Sequence, residues 1–154
     1  MHIQKMTIHD YDAVFDLWTE TPNMGLRSLD DSREGINAFL TRNPETCFIS
    51  LENDMLTGVI LCGHDGRRGY VYHTVVRPDY RNRGIGTALV DAAMNALKTE
   101  GITRVCLNVM EQNEAGKQFW LGRGWEKKDF LGFYSKAITE RKNLPLFKIL
   151  QDLE

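Results

Sequence analysis

Val75-Val76-Arg77-Pro78-Asp79-Tyr80-Arg81-Asn82-Arg83-Gly84-Ile85-Gly86-Thr87-Ala88-Leu89 is the stretch whose reading decides the fold. The β-branched and aromatic run over 70–76 suits a half-buried strand. Pro78 cannot donate to a sheet ladder, so the strand stops before it. From Ile85 the apolar residues Ile85, Ala88, Leu89, Ala92, Ala93, Ala96 and Leu97 recur at three and four, the period of one helix face. Gly101 closes that helix. Between strand and helix lie Arg81, Arg83, Gly84 and Gly86. The first N–H groups of a helix lack intrahelical partners, and the macrodipole adds partial positive charge. Glycine lets that backbone approach an anion, Thr87 adds a hydroxyl, and two arginines add forked donors. These features predict a phosphate or pyrophosphate seat, and so a nucleotide-bearing ligand.

The spacing narrows the choice. A dinucleotide fingerprint G-x-G-x-x-G needs glycine where Leu89 stands, and no G-x-x-x-x-G-K-[ST] run exists. What remains, Arg81-x-x-Gly84-x-Gly86 after a Val-x-Pro strand end, resembles the coenzyme A pyrophosphate loop, R/Q-x-x-G-x-G/A, of the GCN5-related N-acetyltransferases (GNAT).

The rest of the chain extends this resemblance. Read in order, 2–6 is a strand, Thr7 offers an N-cap, and a helix with Tyr11, Val14, Phe15 and Trp18 on one face follows until Thr21-Pro22 breaks it. A second helix starts after Ser32 and ends at Asn43-Pro44. Residues 47–51 and 56–62 form a hairpin about Glu52-Asn53-Asp54-Met55, and His64-Asp65-Gly66-Arg67-Arg68-Gly69 turns into strand 70–76. After the long helix come a strand over 104–109, a helix over 113–123, renewed extension at Gly124-Trp125 and a last strand over 130–138. The class is α+β, in the order β-α-α-β-β-β-α-β-α-β-β, which is the element order of the GNAT fold. That domain spans 1–138. Residues 139–154 form an extension in which Leu144, Leu146, Phe147, Leu150 and Leu153 predict a short amphipathic helix. The Asp65-Gly66-Arg67-Arg68-Gly69 turn resembles a poorly characterised bacterial branch of the family.

A second motif agrees. Asn113-Glu114-Ala115-Gly116-Lys117-Gln118-Phe119-Trp120, then Gly124-Trp125, resembles the family's N-x-x-A-x-x-[LF]-Y and G-[FY]. Within the first of these, Gly116 replaces alanine, and Trp120 replaces the tyrosine that often serves as the acid.

At 154 residues, 42% hydrophobic and 26% charged, the chain is one globular domain. A net charge of −2 argues against a nucleic-acid binder. Three cysteines, Cys47, Cys62 and Cys106, lack C-x-x-C spacing and read as buried apolar residues rather than metal ligands. No membrane-length apolar run or signal-type segment is read, and the expectation is a cytoplasmic protein.

The resemblance implies direct acetyl transfer from acetyl-CoA to an amine of a small molecule or a protein. It places the cofactor on Thr74, Val75 and Val76 at the strand end, on Arg81, Arg83, Gly84, Ile85, Gly86 and Thr87 at the loop, and beside Asn113 and Trp120. Backbone N–H groups near Val75 or Val76 would hold the oxyanion. With Trp120 unable to act as an acid, the candidates for proton transfer are His73, Tyr72 and Tyr134, with a water chain as the alternative. Strand alternation puts Tyr70 and Tyr72 on one face and His73 on the other. Over 19–32, which arches above the acceptor cleft in this fold, Glu20, Asp30 and Asp31 suit a cationic amine, and Arg27 suits a carboxylate; Tyr70 borders the same space. Two other readings stand beside transfer from acetyl-CoA: a non-catalytic acyl-CoA sensor, or a transferase for a longer acyl-CoA. The extension is compatible with a homodimer.

Overall fold

The computed structural model describes residues 1–146. Strand β1 (His2–Lys5) is followed by helices α1 (Tyr11–Glu20) and α2 (Arg33–Arg42). Strands β2 (Phe48–Glu52), β3 (Met55–His64) and β4 (Gly69–Val76) follow, then α3 (Ile85–Thr99), β5 (Val105–Leu107) and α4 (Glu114–Leu121). The sheet order is β1-β2-β3-β4-β5. The first four strands form an antiparallel meander; α3 carries the chain back so that β5 lies parallel to β4.

Local chemistry explains the boundaries. Ser32 accepts from the Gly35 N–H and caps α2, as its sequence position predicts. Asn53 and Asp54, both at positive φ, turn the β2–β3 hairpin tightly. Nearly all of β3 is buried, because helices cover the sheet on both sides. On one side Val14, Leu17, Trp18, Ile36 and Leu40 pack on Ile49, Val59, Leu61 and Val75. On the other, Ile85, Leu89, Val90, Ala93 and Leu97 of α3 pack on Ile60, Cys62 and Val71.

The carboxy-terminal part differs from the sequence reading. The strand expected over 104–109 shrinks to Val105–Leu107, and Gly124-Trp125 starts no strand. Residues 130–138 are not a strand: a strand needs a paired edge, and among the described residues nothing pairs with this segment. Residues 139–146 are not helical either. They run across the 26–31 loop, with the Ser28 N–H donating to Leu144 O at 2.8 Å and the Leu146 N–H to Leu26 O at 3.0 Å. Asn143 clamps that loop: its Oδ1 accepts from the Leu29 and Asp30 N–H groups, and its Nδ2 donates to Asp30 Oδ2. Phe147, Leu150 and Leu153 lie outside the described residues.

Leu89 is fully buried between α3 and the sheet. Leu89→Ala is expected to cost about 2–5 kcal/mol in urea unfolding, the range for a cavity that collapses only partly. A cost under about 1 kcal/mol would mean that α3 does not pack there.

Candidate active site

The site begins where β4 loses one neighbour. Its pairing with β3 runs to Gly58↔Val76, but its pairing with β5 ends at Val71↔Leu107. From Tyr72 to Val76 the outer edge of β4 is therefore open. The Arg77 N–H donates to Thr57 O, so by antiparallel alternation Val75 also faces β3, while Thr74 and Val76 point their backbone groups at the opening. Val76 O lies on that side, accepting from Arg81 Nε at 3.0 Å.

A bulge shapes the same strand. Ile60 pairs with Thr74 and Cys62 with Val71, so Leu61 faces both Tyr72 and His73. The extra residue breaks the alternation expected from sequence. Instead of opposite faces, both side chains reach the α1/α2 layer: His73 packs edge-on to Trp18 (4.9 Å between centroids) and Tyr72 edge-on to Phe39 (5.6 Å). Tyr70 lies 4.9 Å from Tyr72. Burial first, and then nearby acidic groups (Tyr72 and Cys106 beside Tyr70, Asp30 and Cys62 beside Tyr72), raises the pKa of both phenols. Each therefore stays protonated near neutrality and is a proton donor rather than a base.

The open edge leads through the turn Pro78–Tyr80 to the start of α3. Asn82 and Gly84 both adopt positive φ, and a Cβ on Gly84 would meet nothing within 4 Å. The first helical bond is Ala88 N–H to Gly84 O, which leaves the N–H groups of Gly84, Ile85, Gly86 and Thr87 without backbone acceptors among the described residues. Gly86 is small for a further reason: a Cβ there would lie 2.9 Å from the Phe119 ring. Arg83 sits over the Tyr80 ring and 3.8 Å from Glu52.

Sequence reasoning missed a third arginine here. Arg123 donates to Thr87 Oγ1 through Nε and Nη2 at 3.0 and 2.6 Å, and its guanidinium lies 3.7 Å from the Phe119 ring centroid. Thr87 thus accepts from Arg123 and keeps its own hydrogen to donate. The available signal was the i, i+4 spacing of Phe119 and Arg123, which becomes informative only once α4 is docked on Gly86. Asn113 caps α4 through Oδ1, and Trp120 stands edge-on between Phe119 and Trp125 at 5.0 Å from each.

On the acceptor side, Asp31 is buried and fully engaged. Its Oδ1 lies 2.7 Å from His73 Nε2, its Oδ2 accepts from the Arg27 N–H, and its carbonyl accepts from Tyr11. A carboxylate only accepts, so in this contact the His73 Nε2–H donates to Asp31. Glu20 lies 3.7 Å from Arg77 Nη1, and Arg27 donates to Asn143 O. Tyr134, 93% exposed on the 126–142 segment, lies apart from this assembly. The structure thus brings Thr74, Val76, Arg81, Arg83 and Gly84 to Thr87 into one line, with Tyr70, Tyr72 and His73 beside it.

A family model described as the acetyltransferase (GNAT) family matches residues 11–125. The chain belongs to that family. An acetyltransferase of Pectobacterium atrosepticum is 29% identical over 142 residues, covering 92% of this chain and 99% of its own length. An uncharacterized N-acetyltransferase of Yersinia pestis is 28% identical with the same coverage. Among solved structures, the PaiA N-acetyltransferase of Thermoplasma acidophilum, in complex with coenzyme A, matches with a TM-score of 0.73 at 21% identity, over 85% of this chain and 92% of that one. An aminoglycoside 6'-N-acetyltransferase of Acinetobacter haemolyticus matches with a TM-score of 0.70 at 14% identity, over 90% and 100%. The GNAT chain is an N-acetyltransferase with acetyl-CoA as its donor. No helix among the described residues is long and apolar enough to cross a membrane.

The cysteines stand outside this chemistry. Cys47 Sγ donates to Cys62 O inside the sheet, and burial pushes both thiols up to about 12. Cys106 alone is exposed. The raised values make the native state lose stability as pH climbs from about 9, the unfolded value, toward about 12, with no contribution below 9. Iodoacetamide at pH 8 is accordingly expected to add one equivalent quickly, at Cys106, by intact mass. Rapid addition of three would show that the buried pair is accessible.

Proposed function

We propose that this GNAT enzyme acetylates a primary amine, on a small molecule or a protein, held between the β4 bulge and the 20–31 loop. The observation that carries this reading is the open β4 edge running directly into the uncapped N-terminus of α3. The cofactor supplies an activated acetyl thioester. The chain offers the N–H groups at 84–87 with Arg81, Arg83 and Thr87 for its pyrophosphate, and the backbone of Thr74 and Val76 for its extended arm. The second motif, Asn113 and Trp120, borders the same end of α3 through Phe119.

An outward N–H at Thr74 or Val76 is suited to the oxyanion; such a donor typically contributes a few kcal/mol to the transition state. A protonated Tyr72 at the bulge is suited to give a proton to the leaving thiolate. Nδ1 of His73, oriented by Asp31, is suited to take one from the amine. Asp30 and Glu20 provide negative charge on the acceptor side. Residues 1–138 make the transferase unit and 139–154 an extension, of which the described part, 139–146, fastens the 26–31 loop. Free thiols at Cys47 and Cys62 support a reducing, cytoplasmic setting. We read the working form as a homodimer.

Two measurements test this. Calorimetric titration with acetyl-CoA should show micromolar binding, weakened at least about tenfold by Arg83→Glu, whose partner Glu52 makes only a surface ion pair. Undiminished binding by a folded variant would remove Arg83 from the site. Thiol release with a panel of amines should then fall about 10²–10⁴-fold in kcat for Tyr72→Phe, with acetyl-CoA affinity unchanged. Wild-type binding with no thiol release from any amine would favour a sensor, and binding of only a longer acyl-CoA would change the donor.

A further inference from the structure

In the 26–31 loop only Leu26 and Asp31 are buried, at 2% and 4% exposure; residues 27–30 are half-buried or exposed. A segment with so little core contact keeps one shape only if another partner holds it. That partner is the strap 142–146. Arg27 and Pro145 form an antiparallel bridge, flanked by Ser28 N–H to Leu144 O and Leu146 N–H to Leu26 O. Asn143 uses both ends of its amide on the loop. Its Oδ1 accepts from the Leu29 N–H at 2.9 Å and the Asp30 N–H at 3.3 Å, and its Nδ2 donates to Asp30 Oδ2 at 2.8 Å. Leu144 and Leu146 stay 55% and 40% exposed, so the strap grips by hydrogen bonds more than by burial. Its hold is directional, and it fixes geometry.

The loop passes that geometry to the bulge on β4. The Asp31 carboxylate accepts from the Arg27 N–H through Oδ2 and from His73 Nε2 through Oδ1, both at 2.7 Å. The Tyr11 hydroxyl donates to the Asp31 carbonyl at 2.6 Å. A carbonyl held alone is a pivot, and the Arg27 N–H sets the direction of the carboxylate. Arg27 is the residue that bridges Pro145, and its Nη1 donates to Asn143 O at 3.2 Å. The His73 side chain makes no second hydrogen bond among the described residues; its other neighbour is the Trp18 ring, edge-on. One carboxylate therefore aims the imidazole, one backbone N–H aims the carboxylate, and the strap holds that N–H. In the neutral ring, donation from Nε2 leaves the Nδ1 lone pair to accept a proton.

We propose that 142–146 is a positioning strap for proton transfer, with Asn143 a positioning residue that acts on His73 through Arg27 and Asp31. The proposal rests on the reading of His73 as the group that takes the amine proton, and deepens it by naming what fixes that group. The hydrogen bonds of Asn143 run to residues 27–30, on the acceptor side, and none runs to Arg81–Thr87. Its effect accordingly falls on turnover and not on donor binding.

The test uses the full chain. Asn143→Asp keeps the Oδ1 acceptor but sets a carboxylate oxygen against Asp30 Oδ2. It is expected to lower kcat about 10–100-fold, since a misplacement of about 1 Å can cost on the order of 10²-fold, with calorimetric affinity for acetyl-CoA unchanged. Nitrogen-15 spectra of the His73 ring, assigned by their loss in His73→Gln, should show a proton on Nε2 in the wild type and lose that line in Asn143→Asp. Adding Asp30→Asn to Asn143→Asp rebuilds the pair with donor and acceptor exchanged. It should return kcat and the ring spectrum to those of Asp30→Asn alone. If circular dichroism shows Asn143→Asp unfolded, Asn143→Ala removes the clamp without like charges and is expected to shift kcat and the ring line the same way. A folded Asn143 variant with unchanged kcat or an unchanged ring spectrum overturns the strap's role while the reading of His73 stands. So does a loss of kcat that the exchanged pair does not recover. If His73→Gln itself keeps the wild-type kcat, the reading of His73 falls and the proposal with it.

Discussion

The site depends on one asymmetry: β4 keeps its antiparallel partner for five residues after it has lost its parallel one. Had β5 continued beside it, Thr74 and Val76 would have spent their outward backbone groups on a ladder, as nearly all buried peptide groups do. Because the ladder stops, an extended molecule can complete it. The same strand then ends at Pro78 and delivers the chain, through two left-handed residues, to the start of α3. The open edge and the helix N-terminus are thus consecutive parts of one backbone path. Their relative position is set by a short turn, with little freedom to drift.

The side chains around that path are fixed largely by aromatic packing. Phe119 fills the space that Gly86 leaves and holds Arg123 on its face, so α4 reaches into the start of α3 through a ring and a guanidinium. Trp120, which departs from the family pattern, is held between two other rings. An indole there serves as a wall, and the proton chemistry that a tyrosine would bring has to come from the bulge. There Tyr72 and His73 stand on the same layer because of one extra residue.

What the sequence made legible was local. The loop from Arg81 to Thr87 and the start of α3 are set by neighbours in the chain: a proline that ends a strand, glycines, and an apolar period. The hairpin at Asn53-Asp54 and the cap at Ser32 are of the same kind. The bulge was not legible, because Tyr70, Tyr72 and Thr74 alternate as a regular strand would and the fault lies in pairing with Leu61. Arg123 and Asn143 were hidden for a different reason, since their partners lie 36 and 114 residues away. The residues at 130–138 have the composition of a strand, but composition does not supply an edge to pair with.

The clamp made by Asn143 also bears on the order in which the molecule can be completed during synthesis. Its partners at Leu29 and Asp30 leave the ribosome more than a hundred residues earlier. The sheet, α1, α2 and α3 can assemble on the nascent chain in the order of their emergence, since most of their contacts lie between neighbours in sequence. The 26–31 loop cannot take its final form until Leu146 has been made and closes over it. A ribosome-bound chain would therefore finish its cofactor side first and its acceptor side last, so that the nascent enzyme could hold its donor before it could recognise anything to modify.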